Sequence, residues 1–168
     1  MKSFYPLIGL SLAGLLACRQ PNNNQQLQNK IDSLEQLVAN PYKPGLGEFM
    51  SGIQVHHAKL WFAGENQNWA LADFEINEIR EALEDIRAYC SDRPETKEIS
   101  MADQPLDSLS KAISDKDLKR FTSSFKFLTL TCNRCHTATQ HAFNIITLPT
   151  TPPFSNQSFN ISGDGSNH

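Results

Sequence analysis

The sequence predicts an all-α fold, a four-helix bundle, on three observations. Apolar residues recur at alternating spacings of four and three in successive segments, strand signals are sparse, and polar turns with Pro or Gly separate the segments. The chain has 168 residues, sized for one domain, with 39% hydrophobic and 20% charged residues. Fifteen Lys and Arg against 18 Asp and Glu leave a net charge of -3, which offers no polycationic face to nucleic acid. No apolar run approaches the ~18 residues that cross a bilayer, so a spanning protein is excluded.

The chain opens with Met1 and Lys2, followed by Leu7, Ile8, Leu10, Leu12, Leu15 and Leu16 up to Ala17 and Cys18. A charged start, a short apolar stretch and a small residue predict an export signal over residues 1–17. Leu15-Leu16-Ala17-Cys18 resembles a bacterial lipobox, which implies cleavage before Cys18 and a diacylglycerol on its thiol. A plain signal peptide is the alternative. Removing residues 1–17 takes away one Lys and leaves 14 basic against 18 acidic groups, a charge of -4. Residues 18–44 then form a tether: Arg19 to Gln26 is polar and low in complexity, a flexible spacer. Leu27, Ile31, Leu34 and Val38 share one face of a short helix that either docks on its own domain, frays, or pairs with a second copy. Pro41, Pro44, Gly45 and Gly47 mark the domain boundary.

The predicted bundle spans residues 45–143. Its first helix, about 46–64, has the seam Leu46, Met50, Ile53, His57 and Leu60, with Gly64 as its C-terminal stop. Asn68 caps the second, about 69–90, whose seam is Ala72, Ile76, Ile79, Leu83, Ile86 and Cys90, with Glu75 and Glu78 off it. Residues 91–104 read as a connection. A short helix follows with Pro105 near its start and Leu106, Leu109 and Ile113 inward. Ser114 with Asp117 resembles a capping box for the last helix, which carries Leu118, Phe121, Phe125, Leu128, Cys132 and Cys135 along one seam. Residues 144–168 read as an irregular tail rich in Pro, Gly, Ser and Asn.

Cys132-Asn133-Arg134-Cys135-His136 is C-x-x-C-H, the attachment signature of c-type haem. Positions i and i+3 lie on one side of a helix, so both thiols can bond the two vinyl groups of one porphyrin while the adjacent His136 turns its ring to the iron. A redox C-x-x-C belongs in a βαβ context absent here, and a zinc site needs a second ligand pair that the chain lacks. The cysteines then divide into one lipid anchor at Cys18, two covalent haem bonds at Cys132 and Cys135, and Cys90, which reads as a buried thiol on its seam, with an intermolecular disulfide or a reactive thiol as the alternatives.

A late C-x-x-C-H on the last of four helices resembles the cytochrome c′ and c556 group over roughly residues 45 to 143. The stretch from His56 to Gly64 with Asn68-Trp69-Ala70-Leu71-Ala72 looks like a recurring signature of secreted monohaem proteins. The lipobox, the N-terminal heptads and the proline-containing tail depart from the c′ pattern. The resemblance implies one covalent haem c and a distal side either filled, as by the early methionine of the c556 branch, or open as in c′. Met50 and His57 share a seam seven residues apart, about 10.5 Å along a helix, so only one can lie over the iron. An antiparallel first and last helix favours Met50, which otherwise fills the seam as a core methionine. His57 is the alternative distal ligand, a haem contact, or a hydrogen-bonded core histidine. Lys59 and Arg134 are candidate propionate partners or solvated cations; His56 reads as solvent-facing and His141 as a haem-edge or surface residue. The expected function is one-electron transfer by a membrane-tethered monohaem cytochrome, a carrier more than an enzyme, exported to the bacterial cell envelope. Its partners are a redox protein, the membrane through Cys18, and a possible second copy. The alternative is a gas-binding or sensing haem protein with an open or displaceable distal site; a peroxidase stands third.

Overall fold

The computed structural model describes residues 23–39 and 42–161. The described residues form α-helices, one 3-10 segment and no strand, so the all-α class holds. The chain divides into two units between Tyr42 and Lys43, close to the Pro and Gly punctuation. The expected signal over 1–17, the lipobox ending at Cys18 and the end of the tail, 162–168, lie outside the described residues.

The first unit carries α1 (Asn23–Ala39), a helix with no buried residue. It takes in Asn23 to Gln26, which were expected to belong to a flexible spacer. Asn and Gln have middling helix propensities, and nothing in these four residues, neither Gly nor Pro, halts a helix begun by the apolar stripe behind them.

The second unit holds α2 (Leu46–Glu65), α3 (Trp69–Tyr89), the 3-10 segment Pro94–Ala102, α4 (Asp103–Ser114) and α5 (Leu118–Ala138). Helix α2 packs on α3, α3 on α4, α4 on α5, and α5 back on α2. Each buries the seam that its periodicity marks: Ala72, Ile76, Ile79, Leu83 and Ile86 from α3, Leu106, Leu109 and Ile113 from α4, and Phe121, Phe125 and Leu128 from α5. Asn68 caps α3, its side chain accepting from the Leu71 amide at 3.2 Å.

Three local expectations are corrected. Gly64 does not stop α2; it lies buried in the last turn, and a Cβ on it would sit 2.0 Å from Phe121 Cζ. It is a close-approach glycine, and the left-handed residue that turns the chain is Gln67, at φ 55°. Ser114 ends α4 and joins no capping box: Asp117 itself caps α5, accepting from the Arg120 amide at 3.0 Å. The stretch 91–104 is more than a connection, since its 3-10 segment buries Ile99. The tail is irregular as expected through residue 161, yet it is strapped to the helices. Phe159 is buried against Phe62, ring centroids 5.6 Å apart, and its carbonyl accepts from Asn68 Nδ2 at 3.4 Å.

The α2 and α5 seams share a pattern that directs attention to one end of the unit. Leu60 and Ala63 are buried on α2, and Phe121 and Phe125 on α5, whereas Met50, Ile53, Cys132 and Cys135 are only half-buried. Both seams open at the same end, onto a cleft.

Candidate functional site

The cleft is walled by four elements. Met50, Ile53 and His57 come from α2, Ile79 and Leu83 from α3, Glu98, Ile99 and Ala102 from the 3-10 segment, and Leu128, Thr131, Cys132, Cys135 and His136 from α5. Its cavity volume is about 60 Å³, and two adjoining hollows of about 200 and 290 Å³ also border Met50 and His136. The walls are apolar and carry few polar groups, as ligand sites do. Cys132, Cys135 and His136 lie in the last two turns of α5, so the spacing of three and four residues turns all of them toward one cavity.

His136 is held in a defined orientation. Its Nδ1 is 2.6 Å from the Asn144 carbonyl oxygen, which can only accept, so Nδ1 carries the proton and Nε2 keeps a free lone pair. That hydrogen bond to a backbone carbonyl is the usual support for a metal-binding imidazole. The carbonyl is itself fixed. Gln140, at φ 65°, turns the chain after α5, and Asn133 clamps the returning segment: its Nδ2 donates to the Ile146 carbonyl at 2.8 Å while its Oδ1 accepts from the Ile146 amide at 2.8 Å.

The two distal candidates separate by register. His57 meets Thr129 and Phe125, Trp61 meets Phe125 and Phe121, and Thr122 donates to Glu65 at 3.2 Å, so sequence numbers rise on α2 as they fall on α5. The helices run antiparallel, and Met50 reaches the hollows around His136. His57 stands about two turns deeper, at Thr129. Its Nε2 is 2.9 Å from Thr129 Oγ1, whose own hydrogen is donated to the Phe125 carbonyl at 3.0 Å; Nε2 therefore donates and the lone pair resides on Nδ1. Burial pushes its pKa down to about 4, so it is neutral at pH 7.

Burial also decides the state of the thiols. Cys132 is pushed up to about 11, by burial first and by Cys135 second, and Cys135 is raised by burial and then by Glu98. Disulfide exchange needs a thiolate, which this environment disfavours. The residues fit a haem on three counts. Two protonated thiols stand beside an imidazole with a free Nε2, the walls are apolar, and Thr131 Oγ1 is buried in the wall without a hydrogen-bond partner. Among the described residues no three of His, Cys, Asp and Glu gather as a site for a bare metal ion.

Other expected site residues fall elsewhere. Lys59 is turned from the cleft: its Nζ is 3.5 Å from Glu75 Oε1 and 5.8 Å from the centre of the Phe154 ring. Arg134 is exposed and lines none of the three hollows. The cation that lines an adjoining hollow is Arg93, paired to Glu95 through two contacts at 2.9 and 3.3 Å. It lies in the former connection, where periodicity carries no signal. His56 is not simply solvent-facing; its Nδ1 is 2.7 Å from Glu75 Oε2, and Glu75, expected off its seam, is fully buried. His141 borders an adjoining hollow, with its Nδ1 on the Thr139 carbonyl at 2.7 Å. Cys90 is a buried free thiol whose Sγ lies 3.8 Å from the Pro44 carbonyl. No described helix is long and apolar enough to cross a membrane.

The chain matches no known protein family, no curated protein and no solved structure.

Proposed function

We propose that the chain is a c-type monohaem cytochrome, a four-helix bundle tethered to a membrane of the bacterial envelope by a lipid on Cys18, and that it carries single electrons. The observation that carries this reading is the convergence of Cys132, Cys135 and His136 on one apolar cleft, with the His136 Nδ1 proton tied to the Asn144 carbonyl. Cys132 and Cys135 would hold the haem covalently through their sulfurs, and His136 would offer Nε2 to its iron. Haem bound there supplies the one-electron chemistry of its iron. The residues around it set its surroundings: Ile53, Ile79, Leu83 and Leu128 keep water out, and Asn133 and Asn144 hold the imidazole in place.

Register supports Met50 as the distal ligand, since it borders all three hollows around His136, whereas His57 borders two of them and is anchored through Nε2 to Thr129. A thioether favours reduced iron and raises the potential. The test is an optical spectrum of the purified protein, oxidised and reduced, with a pyridine haemochrome. Cys132→Ala with Cys135→Ala should abolish covalent haem on a denaturing gel, and retention in that double variant contradicts the reading. Met50→Ala should remove a sulfur-to-iron band in the red and open the iron to carbon monoxide, whereas His57→Ala should keep that band. Rapid carbon monoxide binding by the unaltered protein, with no sulfur band, would favour the gas-binding alternative.

A further inference from the structure

Helix α1 has no buried residue, although Leu27, Ile31, Leu34, Leu37 and Val38 lie along it, exposed by 43–78%. A lone helix of 17 residues is marginal in water, and helices in proteins owe most of their stability to packing an apolar face. The stripe therefore calls for a partner, and its pattern specifies one.

Written as heptads, α1 places Asn24, Ile31 and Val38 at a positions and Leu27 and Leu34 at d positions. β-branched residues at a with Leu at d favour two parallel strands, and one Asn at a fixes register and pairing at some loss of stability. The charges agree. Lys30 falls at g and Glu35 at the following e, the two positions that face each other across a parallel dimer, so two copies form two opposite-charge pairs. In an antiparallel pair g faces g and e faces e, which sets Lys against Lys and Glu against Glu. Among the described residues neither Lys30 nor Glu35 has an ion-pair partner within its own chain, so both are available to a second chain.

We propose that α1 pairs with the α1 of a second copy as a parallel two-stranded coiled coil, so that the protein is a dimer joined through its N-terminal segment. This goes beyond the haem reading and does not rest on it. Parallel pairing sends both chains out of the coiled coil at the same end, at residue 39.

The test uses the full chain made in cells. Leu34→Cys puts a thiol at a d position, where two parallel chains bring like residues together; Asn29→Cys puts one at f, on the outside. Mild oxidation should convert the Leu34→Cys chain to a disulfide-linked dimer, reversible by reductant, and leave the Asn29→Cys chain at the background of the unaltered protein. Two further chains, each with Leu34→Cys, carry Lys30→Glu or Glu35→Lys. Mixed together, they should form the heterodimer about fivefold more than either homodimer, because mixing turns two repulsive pairs into attractive ones. Equal linkage at positions 29 and 34, as collisions on a crowded surface produce, would overturn the proposal. So would absence of linkage at 34, or a charge-reversed mixture with no preference for the heterodimer.

Discussion

Gly64→Ala sets two effects of opposite sign against each other, and the structure decides the winner. In a helix interior Ala is favoured over Gly by about 1 kcal/mol, so a glycine in the last turn of α2 with open space beside it would be improved by the change. Here the new Cβ would meet Phe121 Cζ, Cε1 and Cε2 at 2.0, 2.1 and 2.5 Å. Carbon atoms rest about 3.5–4.0 Å apart, so the ring must withdraw by roughly 1.5 Å. Phe121 has no exposed surface, and Phe125, Trp69 and Trp61 surround it with centroids at 6.0, 6.1 and 6.5 Å. Overpacking of this kind costs about 1–3 kcal/mol, and a ring boxed in by three others belongs at the upper end. The expected net loss is about 2 kcal/mol, which lowers Tm by about 8 °C for a domain of this size. Urea and thermal unfolding of the two proteins measure it. Phe121→Leu in the same background should recover part of the loss, leaving the double variant about 1 kcal/mol more stable than the sum of the single ones. A Gly64→Ala protein as stable as the parent, or more so, would refute the close approach of α2 and α5.

His57 makes stability depend on pH. Its pKa falls from 6.5 in the unfolded chain to about 4 in the fold, so its neutral form is the folded one; stability is complete above pH 6.5 and declines as pH drops toward 4. The full difference amounts to about 3 kcal/mol, and urea unfolding at pH 7 and pH 4.5 should show most of it in the parent and a shallower slope in His57→Phe. Glu75→Ala leaves His56 and Lys59 without their carboxylate. Because Lys59 and His56 both retain some access to water, the loss should lie at the lower end for a broken buried contact, about 3 kcal/mol in urea unfolding, and a loss under about 1 kcal/mol would show that these contacts carry little. Asn133→Ala removes both hydrogen bonds to Ile146 and should cost about 1–3 kcal/mol. Hydrogen exchange at the Ile146 amide should accelerate at least about tenfold, and unchanged protection would dismiss the clamp.

The sequence by itself determined the helices of the second unit and the grouping of Cys132, Cys135 and His136, because both depend on local spacing. A seam repeating every three or four residues marks a helix wherever its partner lies, and thiols at i and i+3 share a side on any helix. The Asn68 cap was legible for the same reason, its acceptor being three residues from the amide it meets. Tertiary structure decided the rest. Gly64 reads locally as a stop, and only Phe121, 57 positions away, makes it a contact. Glu75 reads as a surface charge until His56 and Lys59 arrive from the neighbouring helix to accompany it into the core. Met50 and His57 are equivalent on their seam. The antiparallel register of α2 against α5 separates them: both line the cleft, but Met50 borders all three hollows around His136, whereas His57 borders two and is hydrogen-bonded to Thr129. Asn133 and Asn144 carry no periodic signal, and their roles exist only because the chain turns at Gln140 and returns along α5. A hydrogen bond between distant segments leaves no mark on the spacing of either, which is why the support of the site, unlike its motif, had to be read from the fold.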